Sequence, residues 1–115
     1  MSDKLIVKVK VSLTFKRNIK TLQKKYRSIR ADVEPIIEQL QNGNLPGDRL
    51  VGIGHPVFKL RVKNSDIVKG KSGGYRLIYY CQTAKSLILL TIYTKSEQIN
   101  IRAEDIKKII DELEN

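Results

Sequence analysis

The 115-residue chain has no tryptophan, one cysteine and one histidine. A lone Cys81 excludes an internal disulfide and suits a reducing compartment, and its place in an apolar segment reads as a small buried hydrophobe rather than a nucleophile. With one histidine, one cysteine and no acidic cluster at ligand spacing, the sequence supports no metal site. His55 lies between Gly54 and Pro56 and reads as a loop residue, at most a weak general-base candidate. No apolar run approaches the roughly 20 residues that span a bilayer, and the opening MSDKLIVKVKVS lacks the unbroken apolar core and small-residue cleavage site of a signal peptide. These absences predict a cytoplasmic protein with no membrane segment and no small-molecule cofactor.

Acidic residues are also scarce: 12 Asp and Glu against 22 Lys and Arg give a net charge of +10. A field of that sign favours nucleic acid, an acidic membrane surface or an acidic protein partner. The charge is polarised along the chain. Residues 1–30 hold ten basic residues against Asp3 alone and residues 59–95 hold eight against Asp66 alone, whereas 31–58 and 96–115 are each net acidic by three. A length of 115 residues predicts one domain, 1–115, with a single core.

Residues Lys4 to Val11 alternate, with Leu5, Val7, Val9 and Val11 on one face, and predict a half-buried strand. From Thr14 the period becomes helical: Phe15, Ile19, Leu22 and Tyr26 form an apolar stripe, while Lys16, Arg17, Lys20, Lys24 and Lys25 cover the rest. A second helix carries Ile29, Val33, Ile36, Ile37 and Leu40. Pro35 is expected in its first turn, which places the start near Asp32 as N-cap, and Asn42-Gly43 ends it. The short connection predicts an antiparallel helical hairpin. A loop over Gly43–Pro56 precedes three strands, near Val57–Lys63, Tyr75–Gln82 and Leu87–Tyr93, of which the last is apolar enough to be central. A final helix carries Ile106, Ile109, Ile110 and Leu113, with Asn100 as a candidate cap and Glu104 and Asp105 in its first turn. The order β-α-α-β-β-β-α predicts a compact α+β domain with a small, largely antiparallel sheet packed with the helical hairpin and a C-terminal helix.

The chemistry concentrates between Lys59 and Lys95. In the strand over 57–63, Phe58, Leu60 and Val62 share one face and Lys59, Arg61 and Lys63 the other. The loop that follows adds Lys69 and Lys71 and ends in Gly73-Gly74, and the next strand opens with Arg76. Gly70-Lys71-Ser72 is not a nucleotide-binding P-loop: Ser65 stands where the first glycine is required, and a strand rather than a helix follows. Adjacent strands would gather these cations with Lys95 into a site for a phosphodiester backbone. There they could orient phosphate and stabilise a pentavalent transition state without metal, with the RNA 2′-hydroxyl as nucleophile. Tyr75 and Tyr79 fall opposite Arg76 and read as core, while Tyr93 with Lys95 is the pair favoured for the site. From these residues alone, a solvated basic face that binds phosphate without cleaving it is the favoured reading.

The stretches FKRNIKTLQKKY, VFKLRVKN, GKSGGYRLIYY and LLTIYTKSEQ resemble the RelE/ParE superfamily of type II toxin-antitoxin toxins, nearest the RelE-like and HigB-like ribonucleases. The resemblance covers most of the chain. It implies a metal-independent mRNA endoribonuclease that acts in the ribosomal A site and inhibits translation, with a cognate antitoxin, the ribosome and mRNA as partners and no cofactor. It assigns Lys59 and Arg61 to holding and activating the mRNA backbone, Arg76 to transition-state charge and Lys95 to a basic position after the last strand. Ser96 and Gln98 stand where basic residues are common, and the last helix has no tyrosine. ParE-type members share the fold but inhibit DNA gyrase, which leaves a gyrase inhibitor and a non-toxic nucleic-acid-binding module as alternatives.

Overall fold

A computed structural model describes residues 6–67, 74–97 and 100–113. Its elements are β1 (Lys8–Val11), α1 (Leu13–Gln23), α2 (Ile29–Gln41), β2 (Asp48–Arg49), β3 (Val57–Val62), β4 (Tyr75–Thr83), β5 (Ser86–Thr94) and α3 (Ala103–Leu113). The five strands lie in the order β1-β5-β4-β3-β2. Only β1 and β5 pair in parallel; the other three pairings are antiparallel. The fold is α+β, as the alternation and helical periods predict.

Strand alternation divides the interior into two layers. Tyr75, Leu77 and Tyr79 of β4 pack with Phe15, Ile19 and Leu22 of α1 and Ile29, Val33 and Leu40 of α2. The intervening Ile78 and Tyr80 face the other way and pack with Ile106, Ile109 and Ile110 of α3. The helical hairpin therefore covers one face of the sheet and α3 the other. β5 is buried along nearly its whole length, as its apolar run predicts.

A β-bulge sets the phase of β5. Ile78 pairs with Thr91 but Tyr79 pairs with Leu89, which leaves Leu90 as an extra residue on β5. The groups this frees are met from α1. The Ser12 hydroxyl donates to the Leu90 carbonyl at 2.7 Å, and the Asn18 carboxamide oxygen accepts from the Ile92 N–H at 3.2 Å and the Thr91 hydroxyl at 2.7 Å. Ser12 also caps α1, accepting from the Phe15 N–H at 2.9 Å. Beyond the bulge, Ile92 faces the hairpin and Tyr93 faces α3.

Five expectations need correction. α2 starts at Ile29, so Pro35 lies in the helix interior, where it leaves the Ala31 carbonyl without its helical partner. Complete burial of Ile29 and Leu40 offsets that cost. Asp32 does not cap α2; its carboxylate accepts from the Ser65 N–H at 2.9 Å, while Asp66 accepts from the Ser28 N–H at 2.8 Å. The 43–56 loop includes β2, whose two residues pair with Phe58 and Lys59. The first strand begins at Lys8, because the Val7 N–H bonds to the Gln41 carbonyl at 2.9 Å instead of joining the sheet; Lys4 and Leu5 lie outside the described residues. At the C-terminal end, α3 begins three residues beyond Asn100, whose side-chain oxygen accepts from Lys59 Nζ at 3.3 Å.

Candidate nucleic-acid interface

The antiparallel registers place Arg61 opposite Arg76, and Arg76 opposite Tyr93. These three side chains form one row across β3, β4 and β5, on the α3 face, at the end of the sheet where β3 leaves for β4. Cross-strand neighbours of this kind have Cβ atoms about 5 Å apart, and like charges placed so oppose folding. Two arginines in register are therefore a cost that packing does not explain.

Arg76 sharpens the point. It is only 8% exposed. Its Nη1 donates to the carbonyls of Gly74 at 3.5 Å and Tyr75 at 3.4 Å, both at the long limit of a hydrogen bond. Among the described residues the ion pairs are those of Arg102 with Glu104 and Asp105, and no carboxylate meets Arg76. A nearly buried guanidinium without a counter-charge has its desolvation uncompensated and is prepared for an anion.

The remaining candidates surround this row unequally. Lys63 lies two residues beyond Arg61 and Lys95 two beyond Tyr93; both are exposed at the same end of the sheet. Lys59 shares the face of Arg61 one step inward, half-buried and bonded to Asn100. Lys69 and Lys71 lie outside the described residues. Tyr93 is covered: its hydroxyl is buried and makes no ordinary hydrogen bond, and it packs with Ile106, Ile109 and Ile110. Burial pushes the Tyr93 phenol up, against the lowering influence of the Arg76 charge and of the nearby Ile101 backbone N–H.

Other polar residues are structural. Tyr75 and Tyr79 are fully buried on the hairpin side, as their alternation with Arg76 predicts. His55 packs edge-on against Tyr80 with ring centroids 5.2 Å apart. Burial pushes the Cys81 thiol up despite Arg49, which suits a packing role rather than a nucleophile. Sequence reasoning missed the importance of Asn18 and Ser12, because their partners at Leu90, Thr91 and Ile92 surround a bulge that has no sequence signature.

Among the described residues no helix is long and apolar enough to cross a membrane. A search of curated proteins returned no match to this chain. The family model described as RelE toxin of the RelE / RelB toxin-antitoxin system matches residues 12–112, a span that takes in α1 at one end, nearly all of α3 at the other and the whole arginine row between them. The chain is therefore a member of the RelE toxin family.

Proposed function

We propose that this toxin is a metal-independent, ribosome-dependent mRNA endoribonuclease. The observation that carries the reading is Arg76, nearly buried, without a carboxylate and in register with Arg61. In the proposed reaction the RNA 2′-hydroxyl, giving its proton to solvent, attacks the adjacent phosphorus and the bond to the 5′-oxygen breaks, leaving a 2′,3′-cyclic phosphate and a 5′-hydroxyl. Arg61 and Arg76 stabilise the charge that accumulates on the phosphoryl oxygens. Lys59 and Lys63 hold the flanking backbone, and Lys69 and Lys71 are assigned the same task from sequence. Lys95, exposed beside the row, supplies the proton for the leaving oxygen. Tyr93 holds the Arg76 guanidinium laterally; proton transfer through its phenol would require the segment at Ile101 to lift. A ribosomal substrate places the activity in the cytoplasm.

The test maps mRNA 5′ ends on purified ribosomes programmed with a defined message. Wild type should create new ends at the A-site codon only when ribosomes are present, and Arg76→Ala and Arg61→Ala should each lower the rate by at least about 100-fold, the scale of losing one transition-state charge contact. Intact message across all codons, with folded and antitoxin-free toxin, would overturn the proposal. Inhibition of purified gyrase by the same preparation would then favour the ParE-type alternative.

A further inference from the structure

Past Leu89 the outer edge of β5 has no strand beside it, because β1 stops at Val11. α1 takes over that edge, and a pocket of about 220 Å³ opens between α1 and the end of β5. Leu22 and Ile92, both buried, supply its apolar lining. Its polar lining comes from Arg17, Asn18 and Thr21 of α1 and from Glu97 just beyond β5. Tyr93 belongs both to this pocket and to the arginine row. A ligand seated beyond β5 is therefore two strand spacings, about 10 Å, from the Arg76 backbone.

The polar groups of the pocket are not matched to one another. Arg17 and Glu97 carry opposite charges and are both exposed on its walls, yet they form no ion pair; among the described residues the ion pairs are those of Arg102. Glu97 is fixed by a turn. Its N–H donates to the Thr94 carbonyl at 3.2 Å, and its Oε1 accepts from the Thr94 hydroxyl at 3.0 Å, which leaves the second carboxylate oxygen for another donor. The Asn18 oxygen is already taken by the Thr91 hydroxyl and the Ile92 N–H, so the carboxamide offers only its N–H donors to the pocket.

A fixed carboxylate acceptor, guanidinium and amide donors and an apolar surface together match one nucleobase, which has donors and acceptors on its edge and an apolar face. The volume is below the roughly 300 Å³ at which pockets for drug-sized ligands begin, and suits a single ring system. Phosphate alone would meet the repulsion of Glu97. A carboxylate favours a base with an exocyclic amine, which cytosine, adenine and guanine carry and uracil replaces with a carbonyl.

We infer that this pocket holds one amino-bearing base of the bound RNA, with Glu97 accepting from the exocyclic amine and Arg17 and Asn18 donating to ring acceptors. The inference deepens the nuclease reading and rests on it for RNA as the ligand. It makes Glu97 a specificity-determining residue one strand away from the arginines.

Cytidine and uridine differ in the amine and carry no phosphate for the arginine row, so they probe the pocket alone. Titrated into toxin freed of its antitoxin by denaturation and refolding, cytidine should shift the amide resonances of Asn18, Thr21 and Ile92 and bind at least about fivefold more tightly than uridine. Glu97→Gln keeps an oxygen for Thr94 but presents an amide N–H2 where the second oxygen was. It should melt within a few degrees of wild type and bring the two nucleosides to within about twofold. On programmed ribosomes, wild type should cut about tenfold faster with cytosine than with uracil at one codon position, and Glu97→Gln should erase that preference. Equal binding of the two nucleosides, shifts that miss these amides, or a codon preference unchanged by Glu97→Gln while message is still cut would each overturn the assignment. Cytidine-selective shifts in a toxin that leaves every message intact would support the base pocket and count against the nuclease reading alone.

Discussion

Replacing Arg76 with methionine should make this protein more stable. The guanidinium is 8% exposed, and its two hydrogen bonds, at 3.5 and 3.4 Å, are long. Two unit charges about 5 Å apart at an effective dielectric constant near 20 repel by roughly 3 kcal/mol. Arg61 is exposed to solvent, so screening reduces the repulsion to about 0.5–1 kcal/mol. Relief of the buried charge by an unbranched apolar side chain adds about 1 kcal/mol, at the low end of what such exchanges yield. The sum is about 1.5–2 kcal/mol, and an unfolding entropy of roughly 2.1 cal/mol/K per residue converts it into a rise in Tm of about 6–8 °C. Thermal and urea melts of Arg76→Met, run beside the ribosome assay, check both halves of the expectation: higher stability and lost cleavage. Added phosphate should raise the Tm of wild type and leave the variant nearly unchanged. A fall in Tm of several degrees would refute the reasoning, because it would make the guanidinium a structural strut instead of a charge held ready for an anion.

Tyrosine ionisation should report the two-layered core. Burial pushes Tyr75, Tyr79 and Tyr93 up, with Asp32 and Asp66 adding to the shift at Tyr75. Below pH about 10 these phenols are protonated in both states; above it the unfolded chain releases protons that the folded chain retains, so stability falls as pH rises. Absorbance at 295 nm should show three of the five tyrosines ionising only together with the loss of helical circular dichroism, and smooth titration of all five in folded protein would contradict the burial. Ser12→Ala removes a helix cap and leaves the Leu90 carbonyl unpaired. It should cost about 2–3 kcal/mol in a urea melt, and a loss below about 0.5 kcal/mol would show that neither bond matters.

Where one physical signal dominates, the sequence is readable almost to the residue. β3 alternates strongly enough that the sharing of a face by Lys59 and Arg61 follows from period two, and the apolar runs of β4 and β5 fix their bounds to within a residue. The α3 stripe of Ile106, Ile109 and Ile110 is equally plain. Failures arise where a side chain leaves its own element for another. Asp32 looks like a cap for α2 because caps are local, but its carboxylate reaches across to Ser65. β2 has two residues and no period to detect. At the site, the cations are evident from sequence, but the feature that singles out Arg76, burial without a carboxylate, exists only after the strands are paired. Tyr93 is the clearest case. Strict alternation from Leu87 and Leu89 assigns it to the hairpin face, and only the extra residue at Leu90 turns it toward Arg76.

That extra residue makes the facing of β5 depend on whether the strand bulges, in a way it does not depend on composition. A substitution at Leu90 changes one contact in the α3 layer. Losing the residue would remove the bulge and leave Ile92 opposite Leu77 and Tyr93 opposite Arg76, whereas keeping it in a strand that ran without the bulge would turn Tyr93 to the hairpin and Ile92 toward α3. For related chains, a single gap at this point in an alignment therefore marks a bulge gained or lost with the faces beyond it kept, and two ungapped sequences can agree letter by letter while presenting opposite faces if only one of them bulges.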